Sequence, residues 1–101
     1  MSEDVRARGA PGDDAGHVIA KRFGADFNFD TAVPQNSNLN RGAYRSMERE
    51  LATHVSAGRT VDVVVEIKYA ARSTRPSNFT VRANINGVED VWSFANAPGG
   101  R

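Results

Sequence analysis

The chain has 101 residues, which suits one domain with a modest core. Its formal net charge is +1, so the overall charge does not by itself indicate a nucleic-acid partner. The absence of cysteine excludes disulfides, thiolate catalysis and cysteine-ligated zinc. No apolar run approaches the ~18 residues of a membrane span. The N-terminus lacks the apolar segment of a signal peptide, so we expect no export address on this chain.

The charge is distributed unevenly along the chain. Residues 1–16 hold two basic and four acidic groups, whereas residues 17–101 hold eleven basic and eight acidic groups. A modestly basic body permits a phosphate-bearing partner without requiring one. We expect a flexible N-terminal tail over residues 1–12, one folded domain over residues 13–96 and a C-terminal tail over residues 97–101.

Two short strands are predicted in the first third of the chain. One contains Val18 and Ile19, which follow a glycine turn, and the other lies near Thr31 to Val33. A helix follows at about residues 40–57, because apolar side chains recur there with helical spacing. Asn38 or Asn40 stands where a helix N-cap belongs. The apolar stripe consists of Tyr44, Met47, Leu51 and Val55, with Gly58 at the C-terminal end.

The second half of the chain predicts a three-stranded antiparallel meander. Val61 to Tyr69 alternates between apolar and polar residues, and Phe79 to Ile85 alternates again. Asn86-Gly87 is a strong hairpin signal. A two-residue turn there pairs Ile85 with Val88, Ala83 with Asp90, Val81 with Trp92 and Phe79 with Phe94, and Asp90 would mark a frayed edge or a bulge. The predicted class is therefore α+β, with the helix stripe and the valine-rich strand face sharing one core.

The two histidines differ in their surroundings. His54 lies late in the predicted helix, where a structural role is the simplest interpretation. His17 leaves a polar turn and enters an apolar stretch, and either Asp13 or Asp14 is near enough in sequence to orient its ring. Taken alone, a histidine after a glycine turn is usually a surface residue.

Two stretches together resemble a known family. "DDAGHVIAKRFG" followed by "VPQNSNLNRGAYRSMERE" is similar to the DNA/RNA non-specific endonucleases of the ββα-metal (His-Me finger) superfamily, in particular the short toxin modules of bacteria. The resemblance runs from about Pro11 to Phe94. It implies a ββα-metal nuclease core of two short strands and one helix, followed by the three-stranded meander.

The resemblance implies roles for three residues. His17 matches the general base that takes a proton from the attacking water, and a reference pKa of ~6.5 suits that task. Asn40 matches the ligand of a divalent metal, Mg²⁺ with Mn²⁺ as a possible substitute. Glu48 matches an acid that acts on the metal through water. On one continuous helix, Asn40 and Glu48 would lie ~80° apart around the axis and ~12 Å apart along it.

Basic side chains near these residues are candidates for binding the phosphate backbone. Contacts of this kind carry no base-sequence preference. Three positions depart from the family pattern: Ala15 replaces an arginine that contacts phosphate, Thr31 replaces a frequent asparagine, and Ala52 stands where an arginine is common. The candidates are Lys21, Arg22, Arg41 and Arg45, with Arg72 and Arg75 as more distant ones, and Lys21 or Arg22 could take the place of the missing arginine.

The sequence thus predicts a Mg²⁺-dependent, sequence-non-specific endonuclease acting on DNA, RNA or both. The resemblance implies the toxic module of a larger secreted protein, made in the cytoplasm, delivered to a target cell and neutralised in the producer by an immunity protein. That protein would cover the cleft between the histidine strand and the helix. Two alternatives stay open: a catalytically weak or inactive relative that only binds nucleic acid, and an α+β interaction domain that shares the fold alone.

Overall fold

The structure, a computed structural model, describes residues 8–17 and 32–101. The predicted strand at Val18 and Ile19 lies outside the described residues, as does the beginning of the second predicted strand at Thr31. Strand β1 is Asp14–His17 and strand β2 is Ala32–Gln35. They form an antiparallel ribbon in which Asp14 pairs with Gln35 and His17 pairs with Ala32. The ribbon therefore ends at the histidine that the sequence singles out.

The predicted helix is present but is broken in two. Helix α1 is Ser37–Arg41 and helix α2 is Ala43–Ser56, and they are separated at Gly42. Gly42 has φ −110° and ψ −102°, which is not helical, and a Cβ there would lie 2.8 Å from the backbone oxygen of Asn38. The helical region thus begins at Ser37, earlier than residue 40, and a continuous helix through Asn40 and Glu48 is a wrong prediction.

The N-cap of α1 is Asn36, so the prediction of Asn38 or Asn40 as the cap is wrong. The Asn36 side chain accepts a hydrogen bond from the Leu39 backbone N–H at 3.1 Å. This satisfies one of the N–H groups that a helix start leaves without an intrahelical partner. Because the cap lies four residues upstream, the Asn40 side chain is available for other contacts.

The meander has the predicted order and register. Its strands are β3, Val61–Tyr69; β4, Pro76–Ile85; and β5, Val88–Ala95, in spatial order β3-β4-β5. All four predicted hairpin pairs are confirmed. The left-handed conformations of Asn86 and Gly87 (φ 49° and 89°) fit a tight two-residue turn. The ladder continues regularly through Asp90, and the register irregularity lies instead between Lys68 and Tyr69, so the suggested fray or bulge at Asp90 is wrong.

The shared core of helix and sheet is confirmed. Tyr44 is fully buried on α2, with ring centroids 5.9 Å from Phe79 and 5.4 Å from Phe94. The apolar stripe ends before Val55, which is 42% exposed. Burial of this kind contributes about 25 cal/mol per Å² of apolar surface. The central cluster comprises Val33, Leu39, Tyr44, Met47, Leu51, Phe79, Val81, Ala83, Ile85 and Phe94.

Residues after β5 hold the loop in front of α1. The buried side chain of Asn96 donates from Nδ2 to the carbonyls of Pro34 (3.0 Å) and Pro76 (2.8 Å). Its Oδ1 accepts from the Asn36 backbone N–H at 2.7 Å. This one amide ties β2 and the α1 cap to the meander, and it therefore fixes where α1 lies. Within the described ranges, no helix has the length and apolar character needed to cross a membrane.

Candidate active site

The carboxylate of Asp14 joins β1 to α1. Asn40 donates from Nδ2 to Asp14 Oδ2 at 3.0 Å. Arg41 donates from Nε to Oδ2 at 3.0 Å and from Nη2 to Oδ1 at 2.9 Å. The Asp14 side chain is only 17% exposed, so these hydrogen bonds replace most of its contact with water. One acid thus holds two residues that the sequence places at a nuclease site.

The contact with Asp14 fixes the orientation of the Asn40 amide. An ionised carboxylate only accepts hydrogen bonds, so the NH₂ group of Asn40 must face it and the carbonyl oxygen must point elsewhere. No residue in the described part of the chain donates a hydrogen bond to Asn40 Oδ1. A neutral oxygen held in this way has the chemistry of a ligand for a hard divalent cation.

Arg41 is held at one edge and open at the other. Asp14 occupies its Nε–H and one Nη2–H, while the Arg41 side chain is 72% exposed. A guanidinium has five N–H donors in a rigid plane, so three remain for a ligand. The ion pair contributes little to stability at this exposure, but it fixes the direction of the remaining donors.

Two further predicted residues lie on α2. Arg45 is exposed and forms no salt bridge with another described residue, whereas Glu48 is half-buried. Burial raises the pKa of the Tyr44 phenol well above its usual range, and the nearby Glu48 carboxylate raises it further. Tyr44 therefore stays protonated at any physiological pH and does not act as a base. The Glu48 carboxylate therefore lies near the buried Tyr44 side chain.

The other predicted residues are placed as follows. The His17 backbone ends β1, three residues after Asp14, while its side chain lies outside the described part of the chain, as do Lys21 and Arg22. The roles of these three residues remain predictions. His54 accepts a hydrogen bond at Nδ1 from Arg59 at 3.0 Å near the C-terminal end of α2, the opposite end from Asn40, which agrees with a structural role.

Arg75 binds a buried acid and a backbone carbonyl. It donates to Asp13 from Nε at 2.7 Å and from Nη2 at 3.1 Å, and it also donates to the backbone oxygen of Asn96. Because the Asp13 side chain is 3% exposed, Arg75 takes part in a buried ion pair, and its suggested phosphate contact stays a prediction. Arg72 is exposed in the loop after β3, with φ 63°.

The environment of Asp13 stabilises its charged form. Burial alone raises the pKa of this carboxyl. Hydrogen bonds from Arg75 and the Ala10 backbone N–H, together with the charge of Arg75, outweigh burial and bring the pKa below its usual value. Asp13 thus pairs with Arg75, whereas Asp14 binds Asn40 and Arg41. That one of the two acids orients the His17 ring stays a prediction.

Gly16 allows a close contact directly before His17. A Cβ at Gly16 would lie 2.5 Å from Gln35 Oε1 and 2.9 Å from Gln35 Cβ. Gln35 is buried, and its Oε1 has no hydrogen-bond partner among the described residues. The glutamine side chain thus fills the space that any other residue at position 16 would need, so the glycine follows from packing on the ribbon.

The described residues contain no group of three or more His, Cys, Asp or Glu side chains placed to hold a metal. Mg²⁺ keeps several water molecules and is held by one or two protein oxygens together with substrate phosphate. The oriented carbonyl of Asn40 meets that requirement.

Sequence reasoning missed the actual contacts of Asp14. Its position beside the histidine motif was visible, but the sequence separates it from Asn40 by 26 residues. Asn96 was also missed, because a single asparagine near the end of a chain has no distinguishing pattern. Both contacts depend on which elements lie next to each other in the folded chain.

A strand that ends in a histidine, facing a helix that presents an oriented asparagine, is an arrangement expected for a ββα nuclease core. The family model of the DNA/RNA non-specific endonucleases matches residues 2–87. The chain belongs to this family.

Two relatives extend the comparison. The Type VII secretion system protein EssD of Staphylococcus aureus (strain USA300) is 34% identical over 92 residues, which cover 85% of this chain and 15% of EssD. The Probable deoxyribonuclease RhsA of Dickeya dadantii (strain 3937) is 30% identical over 83 residues, or 82% of this chain and 6% of RhsA. The chain therefore matches only a small part of each relative.

Proposed function

We propose that this chain is a divalent-cation-dependent endonuclease that hydrolyses phosphodiester bonds without reading base sequence. Family membership supports the nuclease assignment. The observation that carries the proposal is the hydrogen bond from Asn40 Nδ2 to Asp14 Oδ2, because it turns a neutral carbonyl oxygen away from the carboxylate, on a helix that contacts the histidine strand. The substrate class is DNA, RNA or both.

Asn40 would hold Mg²⁺, with Mn²⁺ as a substitute, and Glu48 would act on the ion through water. When bound, the cation stabilises negative charge on the scissile phosphate and on the departing 3′ oxygen. A neutral ligand suits this role, since a carboxylate in its place would offset part of the cationic charge. Asp14 acts here as a positioning residue: it orients Asn40 without being the proposed ligand itself.

His17 is the proposed general base. It would accept a proton from the water that attacks phosphorus, while the bond to the 3′ oxygen breaks and the product keeps a 5′ phosphate. Imidazole suits this transfer near neutral pH. The backbone geometry supports the assignment, because β1 carries both His17 and the aspartate that contacts Asn40.

Phosphate binding is assigned to Arg41 and Arg45, together with Lys21 and Arg22. Arg41 has the strongest support, because Asp14 holds one edge of its guanidinium and the other edge is exposed. Contacts of this kind bind the backbone and weaken with salt.

The biological setting follows from the relatives. EssD is a secretion-system protein and RhsA is a probable deoxyribonuclease, and this chain matches a short part of each. We propose that the nuclease is the toxic module of a bacterial effector delivered to a target cell. Its producer would be protected by an immunity protein that blocks the site.

Ala15 favours one alternative, a relative that binds nucleic acid and cuts it weakly or not at all. Supercoiled plasmid and total RNA, incubated with Mg²⁺, with EDTA, and with the His17→Ala variant, separate the two functions. We expect cleavage with Mg²⁺ and none in the other two reactions. The exposed Asp90 provides a control, because Asp90→Ala should cut as well as the parent chain. A band shift without cleavage under all conditions would establish the binding alternative.

A further inference from the structure

Strand β3 lies at an edge of the meander. The spatial order is β3-β4-β5, and within the described part of the chain β3 pairs only with β4. Its nine residues read VDVVVEIKY, with five β-branched residues and no proline. Long edges of this kind are templates for further strand pairing unless the protein blocks them.

The side chains of β3 show that this edge is incompletely covered. The inward-facing residues of the central strand β4, such as Val81 and Ala83, are buried, but their neighbours Val63 and Val65 on β3 are only half-buried. On the other face, Val64 is 60% exposed. A further strand beside β3 would bury surface on both faces of the sheet.

We propose that the β3 edge pairs antiparallel with β3 of a second copy of this chain, about a two-fold axis at Val65. In this register Asp62 faces Lys68 of the second copy, and the symmetry repeats this opposite-charge pair. The inward-facing row is apolar throughout. Val65 faces Val65 of the second copy, Val63 faces Ile67 of the second copy, and Val61 faces its Tyr69. Tyr69 is 49% exposed in the single chain. The result is a continuous six-stranded sheet.

Neighbouring registers lack this complementarity. Two residues that pair across strands must have their side chains on the same face of the sheet. The allowed alternatives therefore place the two-fold axis at another residue of β3. Moving the axis to Val64 places Asp62 opposite Glu66, and moving it to Glu66 places that residue opposite itself. Like charges directly opposite destabilise a ladder. The charge pattern of β3 therefore selects the axis at Val65.

The opposite edge of the meander, strand β5, lacks the charge complementarity that two copies of β3 have. Strand β5 reads VEDVWSFA, and its charged residues, Glu89 and Asp90, are both acidic, so β5 of a second copy would offer them no basic residue to pair with. Neither Asp62 nor Lys68 forms a salt bridge with another described residue, and each faces an asparagine on β4. Their charges are therefore available for a pair across the β3 edge.

The test is sedimentation equilibrium of the full 101-residue chain from about 10 µM to about 1 mM, a range chosen because a single strand pairing predicts a weak dimer. We expect a concentration-dependent dimer. Lys68→Asp turns both opposite-charge pairs into like-charge pairs and should weaken association roughly tenfold, as should Asp62→Lys. The double variant Asp62→Lys with Lys68→Asp should restore it.

Asp90→Lys is the matched control, because it reverses an exposed acid on the opposite edge and should leave association unchanged. Circular dichroism of each variant checks that the fold is kept. A chain that stays monomeric throughout the concentration range overturns the proposal. So does a dimer that neither single substitution weakens, or one that the double variant fails to restore. These outcomes are independent of nuclease activity.

Discussion

Replacing Asp14 by alanine removes the acceptor that orients Asn40. The variant loses the hydrogen bond to Asn40 Nδ2 and both contacts to Arg41. The Asn40 amide is then free to rotate, so its carbonyl no longer points in one direction. If Asn40 holds the cation, the first consequence is weaker cation binding.

The size of the effect can be worked out from these contacts. A hydrogen bond to a charged group contributes about 1.5–3 kcal/mol, and the Arg41 ion pair adds less than about 1 kcal/mol because Arg41 is largely exposed. Loss of a partner that orients a metal ligand typically lowers metal affinity or activity by about 10–100-fold. We therefore expect cleavage at limiting Mg²⁺ to fall by that factor, with a loss of about 1–3 kcal/mol in the free energy of unfolding.

The assay is plasmid cleavage over a Mg²⁺ titration, with Mn²⁺ affinity measured by electron paramagnetic resonance and stability by urea unfolding. Asp14→Asn keeps an oxygen that can accept from Asn40 but loses the charge, so it should lie between the parent chain and Asp14→Ala. Asp90→Ala is the exposed control. Unchanged cation affinity and unchanged cleavage in Asp14→Ala would refute the positioning role.

Two further predictions concern the support of the site. Arg75→Gln leaves the buried Asp13 without its cation and should lower the free energy of unfolding by about 3 kcal/mol at pH 7. Arg82→Gln, which removes two exposed ion pairs, should cost less than about 1 kcal/mol. Because the pKa of Asp13 is lowered in the fold, its contribution is complete above the ordinary value of ~3.9 and is lost as the pH falls through the lower folded value. Urea unfolding should therefore show the difference shrinking at acid pH, and a difference independent of pH would contradict the ion pair. Gly16→Ala should cost about 1–3 kcal/mol by urea unfolding, and less in a Gln35→Ala background; equal losses in both backgrounds would show that crowding against Gln35 is not the cause.

Local patterns predicted most of the secondary structure. The Asn86-Gly87 turn fixed the β4–β5 register correctly, because a two-residue turn leaves one pairing that keeps apolar residues on the same face. The apolar stripe located α2, because its residues recur with helical spacing. Its start was missed, since Asn36, Asn38 and Asn40 are all acceptable caps by residue type and only backbone geometry distinguishes them.

The sequence alone determined α2, the meander strands, the hairpin register and the family, because these depend on residue periodicity and on motifs that are continuous in the chain. Tertiary structure decided what the polar side chains contact. It assigned Asp14 to Asn40, Arg75 to Asp13 and Asn96 to the loop before α1, across separations of 26 to 62 residues. Hydrogen bonds are short and directional, so their partners follow from the packing of distant elements.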